Sequence, residues 1–260
     1  MPTYQPFDWY RTPLYYDIIF DSDTKREADF LAAIYDHFVR TPGHRMLEPA
    51  CGTGRLVASM AQRGFEVTGF DLSQPSLDFA RERLDAVGIE AELAKKSMER
   101  FSFRRKFDVA HCLVSTFKYL LTEHHAIGHL QSIARSLRRG GVYVLGFHLT
   151  DYAHRGKLRE RWVAHRNGTT VTCNIQSWPP DPRARTETVR ARLLVDSPEG
   201  PAAYETHWLF RTYNVAQVRR LLATVPTLEH VATYNFNCDP NAPVEFDGTW
   251  LDNILILRKR

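Results

Sequence analysis

The chain has 260 residues, 43% of them hydrophobic and 25% charged, which is the usage of an ordinary globular protein. A net charge of +4 does not favour a nucleic-acid partner, and four scattered cysteines without a Cys-x-x-Cys pair predict neither a disulfide framework nor a metal site. No apolar run approaches the ~20 residues that cross a bilayer and no signal-peptide pattern is present, so we expect a cytoplasmic protein without a membrane partner.

The first 24 residues are rich in aromatic side chains, Trp9 and Tyr10 among them, and predict irregular structure that covers the edge of the core. A helix is expected from Lys25 to Arg40, because its apolar residues recur at helical spacing. Pro42 and Gly43 then end it.

A strand–turn–helix–strand unit follows between Arg45 and Asp71. A short apolar strand ends at Glu48, a glycine-bearing turn spans residues 49–54, and a helix runs from Leu56 to about Arg63. The second strand covers residues 66–71 and ends on an acid.

Each residue type in this unit suits a nucleoside-containing cofactor. Gly52 and Gly54 let the backbone adopt positive φ and approach a ligand closely, and Asp71 is placed to accept the two hydroxyls of a ribose. A dinucleotide site would need a third glycine where Val57 stands, and Glu48 would repel a pyrophosphate. An acid before the turn suits a ligand that carries an ammonium group.

The next elements alternate between helix and strand. A helix capped by Ser73 follows the unit, and Asn214 caps a helix near the end of the chain. The other predicted elements are strands at 91–94, 107–113, 142–147, 228–236 and 253–258 and a helix at 122–137.

Three segments between the fifth strand and Asn214 alternate at period two, at residues 169–178, 187–195 and 203–210. Proline-rich turns separate them. The element order predicts an α/β fold, a Rossmann-like, mostly parallel seven-stranded sheet with an antiparallel β-layer inserted after strand five. We expect residues 1–150 and 211–260 to form the core and 151–210 to cover the substrate.

The run Glu48-Pro49-Ala50-Cys51-Gly52-Thr53-Gly54, with Asp71 closing the next strand, resembles motif I and the ribose acid of class I S-adenosylmethionine-dependent methyltransferases. The β-layer resembles that of members acting on small molecules. The resemblance implies S-adenosylmethionine as cofactor, S-adenosylhomocysteine as product, and motif I, including Ala50 and Cys51, as part of the binding site.

The resemblance implies further cofactor-binding residues. Tyr16, in a Tyr-Asp pair, lies over the cofactor, with Tyr10 as a second candidate, and Leu72 packs on the adenine. Ser97 stands where the family commonly has an acid that binds the adenine amine, and a hydroxyl accepts a hydrogen bond more weakly than a carboxylate. The backbone N–H of Met98 is an alternative donor at this position.

The loop after the fourth strand is where cofactor and substrate meet in this family. Cys112 and Leu113 are therefore expected to border the sulfonium, and Tyr119 to face the substrate. His148, at the end of the fifth strand, is the first candidate for a general base and Tyr119 the second. The competing interpretation of His148 is a hydrogen bond to the insertion without any chemistry.

Three functions remain open from the sequence. The first is methyl transfer to a nitrogen or oxygen atom of a small molecule. The second is an RNA or protein methyltransferase, although the residues after the fourth strand, 113–117, lack the Asn/Asp-Pro-Pro-aromatic motif of many base N-methyltransferases. The third is a noncatalytic cofactor-binding protein. A monomer and a homodimer are both compatible with the sequence.

Overall fold

The computed structural model describes residues 2–8 and 10–260, so Trp9 lies outside the described residues. The strands are β1 (Gln5–Pro6), β2 (Arg45–Pro49), β3 (Glu66–Asp71), β4 (Glu92–Lys95), β5 (Phe107–Cys112), β6 (Leu137–His148), β7 (Leu158–Arg166), β8 (Thr169–Ser177), β9 (Thr186–Ser197), β10 (Gly200–Arg211), β11 (Leu228–Tyr234) and β12 (Asp252–Lys259). The helices are α1 (Pro13–Phe20), α2 (Thr24–Phe38), α3 (Arg55–Gln62), α4 (Gln74–Ala86), α5 (Glu123–Ser136) and α6 (Val215–Ala223), with 3₁₀ turns at Asp21–Asp23 and Thr116–Tyr119.

Seven strands form the larger sheet in the order β11-β12-β6-β5-β2-β3-β4. Strands β2 to β6 run parallel, whereas β12 is antiparallel to both β6 and β11. Both faces of this sheet carry buried apolar clusters, which is why β5 is buried over its whole length. Ligands of open α/β sheets bind beyond the carboxyl ends of the strands, where β2 has β3 on one side and β5 on the other.

The second sheet is the inserted β-layer. Its strands β7 to β10 are antiparallel neighbours, and the short β1 joins the edge of β10 in parallel. The predicted α/β fold, with its seven-stranded sheet and its inserted antiparallel layer, is confirmed. The sequence predicted three strands in the insertion, whereas the structure has four, β7 to β10. Strand β7 was missed because it is an edge strand exposed along most of its length, so its sequence shows no apolar alternation.

Local capping signals fix several helix ends. The Ser73 hydroxyl accepts a hydrogen bond from the Ser76 N–H, and Asn214 and Gln217 form a reciprocal capping box, as the sequence predicts for both caps. One boundary was wrong, since β6 begins at Leu137 and takes in the Arg-Arg-Gly-Gly segment that was expected to lie before the strand.

The N-terminal segment differs from the prediction of irregular structure. Residues 13–20 form helix α1, with Pro13 in its first turn. Ile18 and Ile19 are buried against the inner face of the β-layer, where Val171 and Cys173 are fully buried. The helix therefore owes its stability to tertiary burial, which local sequence patterns do not reveal.

Asp17 fixes α1 between the two sheets. Its side chain is fully buried, and its two carboxylate oxygens accept hydrogen bonds from Arg83 Nη2 on α4 at 2.5 and 2.6 Å. Arg166 Nη1, at the end of β7, donates to Asp17 Oδ2 at 2.6 Å. The buried carboxylate of Asp17, on α1, thus joins helix α4 of the core to strand β7 of the β-layer.

The segment that builds most of the β-layer leaves and rejoins the core at one place. The Thr150 N–H donates to the Tyr213 carbonyl at 2.7 Å, so the two ends of this segment are hydrogen-bonded to each other. The Leu149 N–H donates to the Leu251 carbonyl, also at 2.7 Å. In the part of the chain that the structure describes, no helix has the length and apolar character needed to cross a membrane.

Candidate active site

The turn between β2 and α3 has the backbone that motif I requires. Ala50, Gly52 and Gly54 have φ values of 53°, 53° and 68°. A Cβ at Gly54 would lie 2.8 Å from the Ala80 Cβ, so only glycine fits there. Gly52 faces open space, because a Cβ added to it would meet no atom within 4 Å, and Cys51 is buried behind the turn.

Asp71 closes the same crevice from the end of β3. The Gly52 N–H donates to Asp71 Oδ2 at 2.9 Å, and the Ser73 N–H donates to Asp71 Oδ1 at 2.8 Å. Burial raises the pKa of Asp71, while these backbone hydrogen bonds lower it. The carboxylate is therefore aimed by two backbone groups, and it remains partly exposed.

Glu48, at the end of β2, lies in a buried charged cluster that sequence reasoning identified only in part. Arg55 Nη1 lies 2.5 Å from Glu27 Oε2, and His111 Nε2 lies 3.8 Å from Glu48 Oε2. Burial raises the pKa of Glu48 to about 8, although Arg55 lowers it. Burial and the Arg55 charge both lower the pKa of His111, to about 3, so the imidazole is neutral.

Glu48 Oε2 is buried and has no hydrogen-bond partner among the described residues. With a pKa of about 8, Glu48 is protonated near neutral pH, and a bound cation would favour its ionised form and satisfy this oxygen. Tyr16 lies beside this cluster: burial raises the pKa of its phenol to about 12, and Arg55 is the strongest neighbouring charge. The structure thus brings Tyr16, Glu48, Gly52 and Asp71 to one crevice.

The predicted adenine contacts lie at the edge of this crevice. The Leu72 side chain is 63% exposed next to Asp71 and offers an apolar face. The Ser97 hydroxyl accepts a hydrogen bond from the Glu99 N–H at 3.2 Å. Met98 is buried, and its carbonyl is 2.7 Å from His129 Nδ1.

The two residues at the end of β5 point to different sides of the sheet. Leu113 lies against Gly146 and lines the cavity described below. Cys112 is buried in the opposite apolar cluster, where burial raises the pKa of its thiol to about 12 and the Tyr143 hydroxyl is its hydrogen-bond partner. The structure therefore does not bring the Cys112 side chain to the cavity.

His148 belongs to a hydrogen-bonded network between the core and the β-layer. Its Nδ1 is 2.8 Å from the Ser115 Oγ, and its Nε2 is 2.5 Å from the Lys118 Nζ. Lys118 is fully buried and donates to Glu187 Oε1, on β9, at 2.6 Å. Both ring nitrogens of His148 are therefore engaged, whichever of them carries the proton.

The charges in this network stabilise one another. Burial lowers the pKa of Lys118, while Glu187 raises it. Burial raises the pKa of Glu187, but its hydrogen bond to His148 and the Lys118 charge outweigh burial and hold the value at about 2. Sequence reasoning missed Glu187, because its partners are 39 and 69 residues away along the chain.

Tyr119, the second candidate base, is held by another aromatic residue. Its hydroxyl forms a short hydrogen bond with the hydroxyl of Tyr10. Burial raises the pKa of Tyr119 far above its usual range, although the bond to Tyr10 lowers it. Its phenol is therefore protonated near neutral pH.

A cavity of about 1070 Å³ separates the β-layer from the carboxyl ends of the core strands. Its lining includes aromatic side chains from both sides, namely Tyr10, Tyr119, Trp208 and Phe210. His148, Glu160, Glu187 and Asp252 supply ionisable groups. Tyr16, Glu27 and Leu113 also line it. Gly52 and Asp71 do not, but Tyr16 belongs to both the cavity and the motif I crevice, so the two adjoin.

A family model described as a methyltransferase domain matches residues 46–141. This part of the chain is therefore similar to a methyltransferase domain. The matched residues extend from β2 to the start of β6, so they include the motif I turn, Asp71 and the loop after β5. The predicted resemblance to methyltransferases is confirmed over these residues.

Curated relatives match stretches of similar length. A putative methyltransferase of Bacillus subtilis (YqeM) is 33% identical over 104 residues, which are 40% of this chain and 42% of the relative. The dTDP-3-amino-3,4,6-trideoxy-alpha-D-glucopyranose N,N-dimethyltransferase of Streptomyces venezuelae is 33% identical over 107 residues, 41% of this chain and 44% of the relative. The chain thus spans less than half the length of either relative.

The fold is similar over a longer stretch. The crystal structure of an S-adenosylmethionine-dependent methyltransferase from Clostridium acetobutylicum superposes with a TM-score of 0.77 and 18% identity, covering 96% of this chain and 98% of that one. The seven-stranded sheet and the β-layer together therefore form a fold that is also found in that crystal structure.

Proposed function

We propose that the chain is an S-adenosylmethionine-dependent methyltransferase that acts on a small molecule, with an amino nitrogen as the preferred acceptor. The observation that carries this proposal is the pairing of Gly52 with Asp71 beside the buried, unpaired oxygen of Glu48, at a crevice that opens toward an aromatic cavity. Such a crevice fits a ligand with a ribose at one end and an ammonium group at the other.

The residues present fit the cofactor. Asp71 would hold the ribose hydroxyls, Leu72 would cover the adenine, and Glu48 would meet the ammonium group. The family model supports S-adenosylmethionine as the cofactor and methyl transfer as the activity. When bound, S-adenosylmethionine supplies an activated methyl group, so the main task of the protein is alignment.

The chemistry of the cavity supports a small, amine-bearing acceptor. Its volume is near the upper end for small-molecule sites. Glu160 and Asp252 line it close to each other, and burial raises the pKa of Glu160. Carboxylates and aromatic faces together attract an alkylammonium group. The amino-sugar N,N-dimethyltransferase among the relatives supports the same acceptor class.

The roles that we propose for His148 and Tyr119 depend on whether either side chain can remove a proton from the acceptor. Because Ser115 and Lys118 engage both nitrogens of His148, we propose that His148 positions the β-layer on the core and is not the general base. A phenol with a strongly raised pKa is a poor base, so Tyr119 would orient the acceptor. An acceptor that is attracted as an alkylammonium group must lose one proton before transfer, and Glu160, whose pKa burial raises, would accept it; an acceptor that enters as the free amine needs no base before transfer.

We also propose separate roles for two parts of the chain. Residues 1–150 and 211–260 would bind the cofactor, and residues 151–210 would cover the acceptor. Helix α1 contacts both parts, because Asp17 is bonded to Arg83 and Arg166.

The first test is calorimetric titration of S-adenosylmethionine and S-adenosylhomocysteine into the wild type, Asp71→Ala and Asp78→Ala. Asp78 is an acid on α4 that pairs with Arg81 at the surface, so it controls for loss of one negative charge. We expect micromolar binding by the wild type and the control, and a loss of at least about tenfold in Asp71→Ala, which removes two or more hydrogen bonds. No binding by a folded wild type would refute the cofactor proposal.

The second test is methyl transfer from labelled S-adenosylmethionine to a panel of amino sugars, alkylamines and phenols, followed by mass spectrometry. Methylated amines are the expected products. Binding of the cofactor without transfer to any acceptor would favour a noncatalytic binding protein, and transfer to phenols alone would refute the amine assignment.

A further inference from the structure

The outer face of the β-layer carries a concentration of positive charge, of which only Arg161 also lines the large cavity. Arg159 and Arg161 lie on β7, and Arg190 and Arg192 lie on β9. Residues two apart on one strand share a face of the sheet. The register places Gln176 between Arg159 and Arg190, and it places Asn174 between Arg161 and Arg192.

These four arginines line a groove of about 430 Å³, the arginine groove, with Asn174 and Gln176 on its floor. Arginines on β7 and β9 are two strands apart, which puts their backbones about 10 Å from each other. The spacing leaves room between the guanidinium groups for a ligand. Gln176 is 8% exposed, and its Oε1 accepts hydrogen bonds from Arg159 and Arg190, both at 3.4 Å, so its amide NH₂ remains as a donor.

Negative charge on this face is insufficient to balance the arginines. Glu205 contacts Arg192 at 2.5 Å and Arg190 at 3.8 Å. Within the described chain, no carboxylate lies within 4 Å of Arg159 or Arg161. Glu160 also lines the groove, so four guanidinium groups face two carboxylates, which leaves an excess of two positive charges.

Two of the guanidinium groups are held in place by aromatic rings. Arg190 lies 5.4 Å from the centre of the Trp178 ring, and Arg192 lies 4.5 Å from the centre of the Tyr4 ring. Stacking leaves the N–H edges of a guanidinium available for hydrogen bonds, and planar guanidinium groups bind phosphate oxygens in pairs. The groove is therefore organised before any ligand arrives.

We propose that the arginine groove binds a polyphosphate group, such as the phosphate chain of a nucleotide. A linear chain of phosphates presents several anionic oxygens in a row, and this matches arginines on both sides of a groove with amide donors on its floor. A single carboxylate would engage only one side. Asn174 and Gln176 on the groove floor alternate with Val171, Cys173 and Ile175, which pack in the cluster with α1, so the floor lies on the opposite face of the β-layer. Phosphate binding there does not depend on methyl transfer, although Arg161 borders both cavities.

The test is titration of inorganic tripolyphosphate into the full chain at low ionic strength. The groove variant is Arg159→Gln/Arg161→Gln, because both side chains are exposed and neither has a carboxylate partner. The matched control is Arg104→Gln/Arg220→Gln, which removes the same charge from two exposed sites elsewhere. We expect the groove variant to lose at least about tenfold in affinity, since charge-assisted hydrogen bonds are lost, and the control to match the wild type.

Three results would overturn the proposal. They are equal affinities of the wild type and the groove variant, equal losses in both double variants, and citrate binding as tightly as tripolyphosphate. Adenosine triphosphate is titrated in parallel: stronger binding than tripolyphosphate would assign the groove to nucleotides, and equal binding would assign it to the phosphate chain alone. Thermal unfolding of each variant and titration of S-adenosylmethionine establish that fold and cofactor site are intact, so a failure here is distinct from a failure of the proposed function.

Discussion

Replacing Asp17 by Asn tests whether α1 is held in place by charge. Asp17 is fully buried between Arg83 and Arg166, and the substitution leaves the arginines only Asp21, at 3.4 and 3.7 Å, as a carboxylate partner. Breaking a buried ion pair costs about 3–5 kcal/mol. Arg83 and Arg166 are 19% and 28% exposed and can recover some hydration, so we expect the lower end, about 3 kcal/mol.

In a chain of this size about 1 kcal/mol shifts the unfolding midpoint by about 2–4 °C, so Asp17→Asn should lower the midpoint by about 6–12 °C. Because α1 also carries Tyr16, the affinity for S-adenosylmethionine should fall as well. Differential scanning calorimetry and titration measure the two effects. Asp29→Asn is the matched control, since Asp29 also contacts two cations, Lys25 and Arg63, but at the surface. A midpoint change in Asp17→Asn no larger than in this control would refute the reasoning.

Three other substitutions test the site itself. Gly54→Ala forces a Cβ onto positive φ and to 2.8 Å from the Ala80 Cβ, so urea unfolding should show a loss of about 1–3 kcal/mol. Folding raises the pKa of Glu48 from about 4.5 to about 8, so its contribution to stability is present below pH 4.5 and is lost as the pH rises to about 8. The variant Glu48→Gln should therefore lose less stability than the wild type between pH 5 and pH 9 in urea unfolding. For His148→Gln we expect kcat within about tenfold of the wild type, with an unchanged pH profile, whereas removal of a general base costs about 100-fold or more.

Local signals in the sequence predict the backbone of the motif I turn and its surroundings well. The motif I turn, Asp71 and the cap at Ser73 lie within one short unit, and each is set by backbone conformation or by a side chain a few residues away. The central strands β2, β3, β5 and β6 are predictable for a related reason, since buried parallel strands are largely continuous apolar runs. Strand β7 lacks such a run and was missed.

The acceptor side of the site depends on contacts that join distant parts of the chain. Glu187 meets Lys118 across 69 residues, and Arg166 meets Asp17 across 149. No local pattern marks such pairs, because an acid in an alternating strand is typical of an exposed face. Among these residues, only Asp17 could have been predicted to have a buried partner, because it stands between Tyr16 and the apolar pair that begins at Ile18. An acid in an apolar helix indicates a buried partner.

The hydrogen bond between Thr150 and Tyr213 bears on how such a protein diversifies. Since the chain departs from the core and returns to it at one point, the intervening strands can lengthen, shorten or be exchanged without shifting the register of β6 or α6. If this segment covers the acceptor, as proposed, acceptor preference can change within it while Gly52 and Asp71 keep their places. A chimaera with another β-layer would be joined at this hydrogen bond and would also have to preserve the contacts of β1 and α1 with the layer.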